Sequence, residues 1–127
     1  MIKKSVTLTR RELDLMSVLW RLQSATVAEV RAQLTDELAY PTVLTMLRNL
    51  ELKGYARHEE DGRAFRYYPV LQPNEAGDGA LKRLVSKVYQ GSRELLVSRL
   101  IADDRISGDE LRRIRTLLQD RLKEVGT

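Results

Sequence analysis

The chain has 127 residues, 43% of them hydrophobic and 31% charged, which fits one soluble domain or a small domain with an oligomerisation arm. Cysteine is absent, which excludes disulfides and thiolate metal sites, and the single histidine leaves little material for catalysis or zinc binding. We therefore expect no enzymatic activity, no cofactor and no metal. The net charge of +4 gives mild support for a polyanionic partner.

The hydrophobic pattern argues against a membrane partner. No apolar run approaches the ~20 residues that are needed to span a bilayer. The N-terminal MIKKSV leads directly into polar TLTRRE, without the apolar core of a signal peptide. We therefore expect a cytoplasmic protein.

Three capping boxes predict the starts of three helices. In each box, a Thr or Ser hydroxyl can accept from a free backbone N–H, and a Glu three residues later can reach back. Apolar residues at helical spacing follow each box. The boxes begin at Thr9, Thr26 and Ser107 and end at Glu12, Glu29 and Glu110.

A further helix is predicted between the second and third boxes. Pro41 suits its first turn, where a missing N–H is harmless, and Gly54 can adopt the left-handed conformation that ends a helix. One face is apolar, formed by Val43, Met46, Leu47 and Leu50.

A hairpin is predicted next, because Asp61-Gly62 lies between two short aromatic-rich segments at 55–58 and 64–68. Tyr67 and Tyr68 point to opposite faces of such a strand, so one of them is expected to pack on the core. Residues 72–79 have the composition of a linker. Helical patterns occupy the remainder, with a break at Gly91.

The order of these elements predicts a mainly α fold with two domains. Three helices followed by a hairpin are typical of a winged helix-turn-helix DNA-binding domain, which we place at residues 1–72. The helical residues 73–127 are predicted to form a dimerisation domain.

The outer face of the helix over 41–50 is the predicted DNA-reading surface. It is polar, short and mostly uncharged, which allows approach to phosphate and contact with base edges in the major groove. The alternative is an ordinary solvated face, although such faces usually carry Glu and Lys together. The residues on this face are Pro41, Thr42, Thr45, Arg48 and Asn49.

Two hairpin arginines complete the predicted DNA site. Arg63 at the tip suits a phosphate or minor-groove contact, and Arg66 follows on the second strand. The alternative for Arg63 is a solvated turn residue. The acidic residues at 59–61 argue against the whole hairpin lying flat on DNA.

The C-terminal helices are predicted to form a homodimer. Fewer than 50 residues rarely bury enough surface to be stable alone, and pairing with a second copy would cover their apolar stripes. An intramolecular bundle is the alternative. The predicted dimerisation residues are Leu84, Val88, Leu95, Leu96, Leu100, Leu111, Ile114, Leu117, Leu118 and Leu122.

The chain resembles the penicillinase repressor family, also called BlaI/MecI/CopY, from about Leu8 to about Leu118. No single motif is decisive, but the ordered set is specific. The residues on which the resemblance rests are Leu8-Thr9 with Glu12, Met16, Leu19-Trp20, Val27 with Glu29-Val30, Thr42-Val43-Leu44-Thr45-Met46-Leu47 with Leu50, Lys53-Gly54, Gly62-Arg63-Ala64-Phe65-Arg66-Tyr67 and, weakly, Tyr89-Gln90-Gly91.

The resemblance implies a homodimeric repressor whose N-terminal domain binds a palindromic operator of double-stranded DNA. Family operators often precede genes for β-lactamase or penicillin-binding proteins. Thr42 and Thr45 match the threonines of the family's recognition helix, and Arg63 matches its wing arginine.

Four departures from the family pattern limit what the resemblance implies. Asn49 stands where the family often has Arg, and Pro41 stands where Thr or Lys is common. A regulatory protease is a possible partner, because staphylococcal members are induced by cleavage of an Asn–Phe bond. The corresponding bond here is Arg99-Leu100. Without cysteine, copper sensing through cysteine pairs is excluded.

Two other functions are alternatives to operator binding. A winged helix can instead serve as a module for protein–protein or double-stranded RNA interaction, which would give little salt-dependent affinity for duplex DNA. A small enzyme is disfavoured, because the sequence shows no nucleophile–base pair, metal cluster or phosphate-binding glycine loop.

Overall fold

A computed structural model describes residues 6–126, so the outer ends of the two predicted domains lie outside the described residues. The chain forms two compact units that divide between Leu81 and Lys82. The elements are α1 (Arg10–Leu22), β1 (Ala25–Thr26), α2 (Val27–Gln33), α3 (Tyr40–Leu52), β2 (Ala56–Asp61), β3 (Ala64–Pro69), α4 (Pro73–Arg83), a π-helical turn (Leu84–Val88), α5 (Arg93–Ile101) and α6 (Gly108–Glu124).

The predicted capping boxes begin helices in the structure. Thr9 and Thr26 both form the complete reciprocal box, with Glu12 and Glu29 as the partners three residues later. Ser107 forms only the first half of its predicted box, in which its hydroxyl accepts from the backbone N–H of Glu110 at 3.1 Å, and it begins α6. These caps explain why the three helices begin where the sequence predicts.

A three-stranded antiparallel sheet has the order β1-β3-β2. Tyr67 in the central strand pairs with Ala25 on one side and His58 on the other. The hairpin of β2 and β3, which we call the wing, closes through Gly62-Arg63, and Gly62 has a φ of 65°. A left-handed glycine at the first central position suits a two-residue hairpin turn. The predicted hairpin is confirmed, and its strands extend through the acidic residues to Asp61.

The core of the first unit lies between its helices and the inner face of the sheet. Tyr67 is fully buried there, which confirms the prediction that one of the adjacent tyrosines Tyr67 and Tyr68 packs on the core. Trp20 donates from Nε1 to the carbonyl of Leu71 at 2.8 Å, which fastens the chain after β3 to α1. The other buried residues are Leu15, Met16, Val18, Leu19, Ala25, Val27, Val30, Val43, Leu47, Leu50, Ala56 and Leu71.

The linker predicted at residues 72–79 is wrong, because Pro73 begins α4. Proline is well suited to a first helical turn, and the Glu75 carboxylate accepts from the backbone N–H of Gln72 at 3.0 Å. Ala76 packs against the core of the first unit. The division between the units therefore falls inside α4, later than the boundary predicted after residue 72.

The second unit exposes most of its large apolar side chains. A π turn and the left-handed residues Gln90 and Gly91 separate α4 from α5, which confirms the predicted break at Gly91. Leu96 alone among the predicted dimerisation residues is buried, at 9% exposure. Ile114 is half-buried, and the exposed members are Leu84, Val88, Leu95, Leu100, Leu111, Leu117, Leu118 and Leu122. Across residues 6–126, no helix is both long and apolar enough to cross a membrane.

Candidate nucleic-acid interface

The outward face of α3 carries every residue predicted to read DNA from this helix. Val43, Leu47 and Leu50 hold the opposite face in the core with no exposed surface. The outward residues follow from this arrangement because they lie on the far side of the helical wheel. Pro41, Thr42, Thr45, Arg48 and Asn49 are all exposed.

An ion pair anchors the C-terminal end of α3 to the beginning of α1. Lys53 donates from Nζ to both carboxylate oxygens of Glu12 at 2.8 Å. Burial of Glu12 acts to raise the pKa of its carboxyl, but the bonds from Lys53 and Thr9 outweigh burial and lower that pKa overall. Glu12 therefore holds the end of α3 and caps α1 at the same time.

A second polar contact joins α3 to the wing. His58 on β2 lies with Nδ1 at 2.7 Å from a carboxylate oxygen of Glu51 on α3. The His58 ring also packs edge-on against Phe65, with 5.0 Å between ring centroids, and lies 5.3 Å from Tyr67. Desolvation raises the pKa of the Tyr67 phenol, consistent with its burial beneath these groups. This contact fixes the base of the wing against α3.

The tip of the wing presents Arg63 to solvent. Arg63 lies in the two-residue turn and is exposed, as a phosphate contact requires. Nearer the base, Arg57 lies over the Tyr68 ring at 4.2 Å and pairs with Glu59 at 2.8 Å.

Arg66 is placed differently from the other predicted DNA residues. Its side chain is only 27% exposed, and it pairs with Asp61 at 3.0 Å and Glu29 at 3.3 Å. It also donates to the Ser24 hydroxyl at 3.3 Å. The prediction of direct DNA contact therefore has no support from its position, because its guanidinium is engaged within the chain.

Sequence reasoning missed several residues that shape this surface. Tyr40 begins α3 and is 42% exposed beside Pro41, whereas the sequence predicts a helix that begins one residue later. The contacts Glu12–Lys53 and Glu51–His58 join residues on different elements, so no local pattern could reveal them. For Tyr40, its position directly before the helix-starting proline was the available signal.

This arrangement of three helices, an outward polar third helix and a hairpin defines the first unit as a winged-helix domain. Residues 8–120 match the family model described as penicillinase repressor. The chain belongs to the penicillinase repressor family, which confirms the resemblance predicted from the sequence.

Named relatives agree with this membership. The chain is 27% identical over 121 residues to the penicillinase repressor of Bacillus licheniformis, covering 94% of both chains. It is 31% identical over 113 residues to the transcriptional regulator BlaI of Mycobacterium tuberculosis, covering 86% of this chain and 80% of that one. The solved DNA-binding domain of the repressor BlaI is similar to 58% of this chain and 93% of its own, with 33% identity and a TM-score of 0.51. The first and third of these relatives are named as repressors, and the second is named as a transcriptional regulator.

Proposed function

We propose that this protein represses transcription by binding a palindromic operator in duplex DNA as a homodimer. The observation that carries the proposal is the outward face of α3, where five polar or small residues are exposed together. The solved domain of the related repressor BlaI, which is similar to 58% of this chain, is described as DNA-binding, and this supports the proposal.

The chemistry of the α3 face suits contact with bases. The Thr42 and Thr45 side chains can each place a methyl group on thymine and a hydroxyl at a base edge. Asn49 can pair with adenine, and Arg48 can reach guanine or a phosphate. No acidic side chain occurs in α3 before Glu51, which pairs with His58, so this face does not repel the DNA backbone.

Arg63 is proposed to contact the DNA backbone beside the groove that α3 enters. Its exposed position at the tip allows a guanidinium to reach phosphate while α3 reads bases. Arg66 is left out of the direct contacts, because its guanidinium is already bonded to Asp61, Glu29 and Ser24.

Homodimer formation is proposed through the exposed apolar side chains of the second unit. On α6, Leu111, Leu117, Leu118 and Leu122 recur at helical spacing and are exposed in a single chain. An uncovered stripe of this kind is unfavourable in water, and a second copy would cover both stripes at once. Leu96 is left out of this surface because it is buried within one chain.

Genes for β-lactamase or cell-wall-related genes remain the proposed targets, because relatives are named for penicillinase and for methicillin resistance. A regulatory protease also stays a prediction. The Arg99-Leu100 bond lies within α5, so cleavage there would require local opening of the helix.

The proposal is tested by selecting bound duplexes from a random-sequence DNA library and by footprinting the DNA upstream of the protein's own gene. We expect a two-fold symmetric sequence, with half-sites spaced by one or more helical turns. Affinity should fall steeply as salt rises. Failure to enrich any duplex, or enrichment of a site without symmetry, would contradict the proposal.

A further inference from the structure

We infer that Arg66 is a positioning residue, which orients the wing so that Arg63 reaches DNA but makes no DNA contact itself. The inference rests on the proposed function, since it concerns how the same surface meets the DNA backbone. Its support comes from the bonds that hold Arg66 within the first unit.

The guanidinium of Arg66 connects three separate segments of the chain. Nε donates to Asp61 at 3.0 Å, in the last residue of β2 before the tip. One terminal nitrogen donates to Ser24, directly before β1, and the other lies 3.3 Å from Glu29 on α2. All three side-chain nitrogens therefore have partners inside the protein, and the partners lie on both sides of β3.

The partner carboxylates also make Arg66 a poor phosphate ligand. Asp61 and Glu29 bring two negative charges to its single positive charge. A phosphate approaching Arg66 would meet both carboxylates, whereas Arg63 projects from the turn beyond them. The local charge therefore separates the roles of two arginines that the sequence places three positions apart.

The wing needs such an attachment because its outer part is only two strands wide. A two-stranded ribbon twists and bends easily, and β1 supports β3 only at Arg66 and Tyr67. Arg66 lies at the end of this support, where β3 leaves β1 and continues alone with β2. Its bond to Asp61 runs from that point toward the tip, which fixes the direction in which Arg63 projects.

The same network holds the first turn of α2. The carboxylate oxygen of Glu29 that faces Arg66 also accepts from the backbone N–H of Thr26 at 2.8 Å. That bond belongs to the capping box that begins α2. The wing is consequently attached to the first helix of the helix-turn-helix through one shared carboxylate.

The test is a double-mutant cycle on binding to the duplex selected by the wild-type protein, with affinity measured over a series of salt concentrations. Arg63→Ala should leave one phosphate per protomer without its cation, lowering the slope of log affinity against log salt by about 0.9 for each such phosphate. Arg66→Ala should lower the slope by a similar amount. The double variant should match the single variants, because Arg66 acts only through Arg63.

Additive losses in the double variant would show that Arg66 contacts DNA directly and would overturn the inference. Wild-type affinity and slope in Arg66→Ala would also overturn it. If the wild-type protein selects no duplex, the proposed function itself fails, which is a separate outcome from additive losses.

Two milder variants keep the test informative if Arg66→Ala does not fold. Glu29→Gln keeps an acceptor for the capping box and Asp61→Asn keeps the side-chain volume, but each removes a charge that pairs with Arg66 and so weakens its attachment. The inference expects both variants to lower the salt slope in the wild-type background and to leave it unchanged in the Arg63→Ala background. If Arg66 instead contacts phosphate, removal of either carboxylate would strengthen binding, and the inference would be wrong.

Discussion

The two units of this chain differ in how many of their leucines are buried. In the first unit, leucines such as Leu15, Leu19 and Leu47 are fully buried around the sheet and its helices. In the second unit, Leu117 is 68% exposed, and only Leu96 reaches a buried position. The first unit therefore contains the apolar contacts that stabilise it, whereas the second is expected to obtain them from another copy of the chain.

The largest expected effect tests whether the exposed apolar residues of the second unit form a dimer interface. Leu117→Asp should convert the dimer to monomers, because it would place an unpaired charge in the proposed interface at a cost of about 3–5 kcal/mol. Light scattering or analytical ultracentrifugation measures the mass directly. Leu52→Asp is the matched control, since Leu52 is 85% exposed on α3 and lies outside the proposed interface. A Leu117→Asp protein that remains dimeric would place the interface elsewhere.

The next effect compares a buried leucine of the first unit with an exposed leucine on the same helix, α3. Leu47→Ala should destabilise the first unit by about 2–5 kcal/mol, because it leaves a cavity in a fully buried core. Leu52→Ala should change stability by less than about 0.5 kcal/mol, since that side chain is already in water. Urea unfolding of both variants at several protein concentrations separates this core effect from dimer dissociation. Equal losses at the two positions would contradict the buried placement of Leu47.

A smaller effect separates DNA reading from assembly. Thr45→Ala should weaken binding to the selected duplex by about 1–3 kcal/mol, because it removes a methyl and a hydroxyl from the α3 face. Its mass in solution should stay that of the dimer. Thr116→Ala on the exposed surface of α6 is the control, and it should bind DNA like the wild type. Unchanged specific affinity in Thr45→Ala would remove the proposed reading face.

The smallest expected effect is a pH dependence in the stability that Glu12 gives to the first unit. The folded state lowers the pKa of Glu12, so its ionised form contributes stability above the ordinary value of 4.5, and this contribution is lost as pH falls through the lowered value. Glu12→Gln keeps an acceptor for the cap but loses the ion pair with Lys53. At pH 7 it should cost about 1 kcal/mol.

Urea unfolding of wild type and Glu12→Gln at pH 7 and again below about pH 4, under the ordinary range of a Glu carboxyl, measures this difference. The gap between the two proteins should narrow at the lower pH, because the stabilisation by the ionised wild-type carboxyl is progressively lost as pH falls from the ordinary value toward the lowered pKa. A gap that is constant with pH would mean that the ion pair contributes nothing.

Local signals in the sequence were sufficient for the starts of α1, α2 and α3 and for the hairpin. The boxes at Thr9 and Thr26, the proline at position 41 and the Asp61-Gly62 pair each act within a few residues, so the pattern alone predicts them. The first part of α4 was missed because proline and glycine at 73–79 suggested a linker. In the structure the same proline begins the helix.

The features of the site that the sequence could not predict depend on contacts between residues far apart in the chain. The short strand β1 has only two residues, and it is recognisable only through its pairing with β3. Arg63 and Arg66 have the same side chain, so the sequence alone does not distinguish them. Only the fold brings Asp61, Glu29 and Ser24 around Arg66. The outward face of α3 was predictable because helical periodicity alone separates it from the core.

The central position of Tyr67 in the sheet limits how the wing can vary in length. Adding one residue to β2 alone would slip the register against β3 and turn side chains from the core face to the solvent face. Adding one residue to each strand would keep the base paired but turn the tip over, whereas adding two to each would preserve its orientation. Wing length in this fold therefore changes without a penalty only in steps that respect the two-residue repeat of the strands.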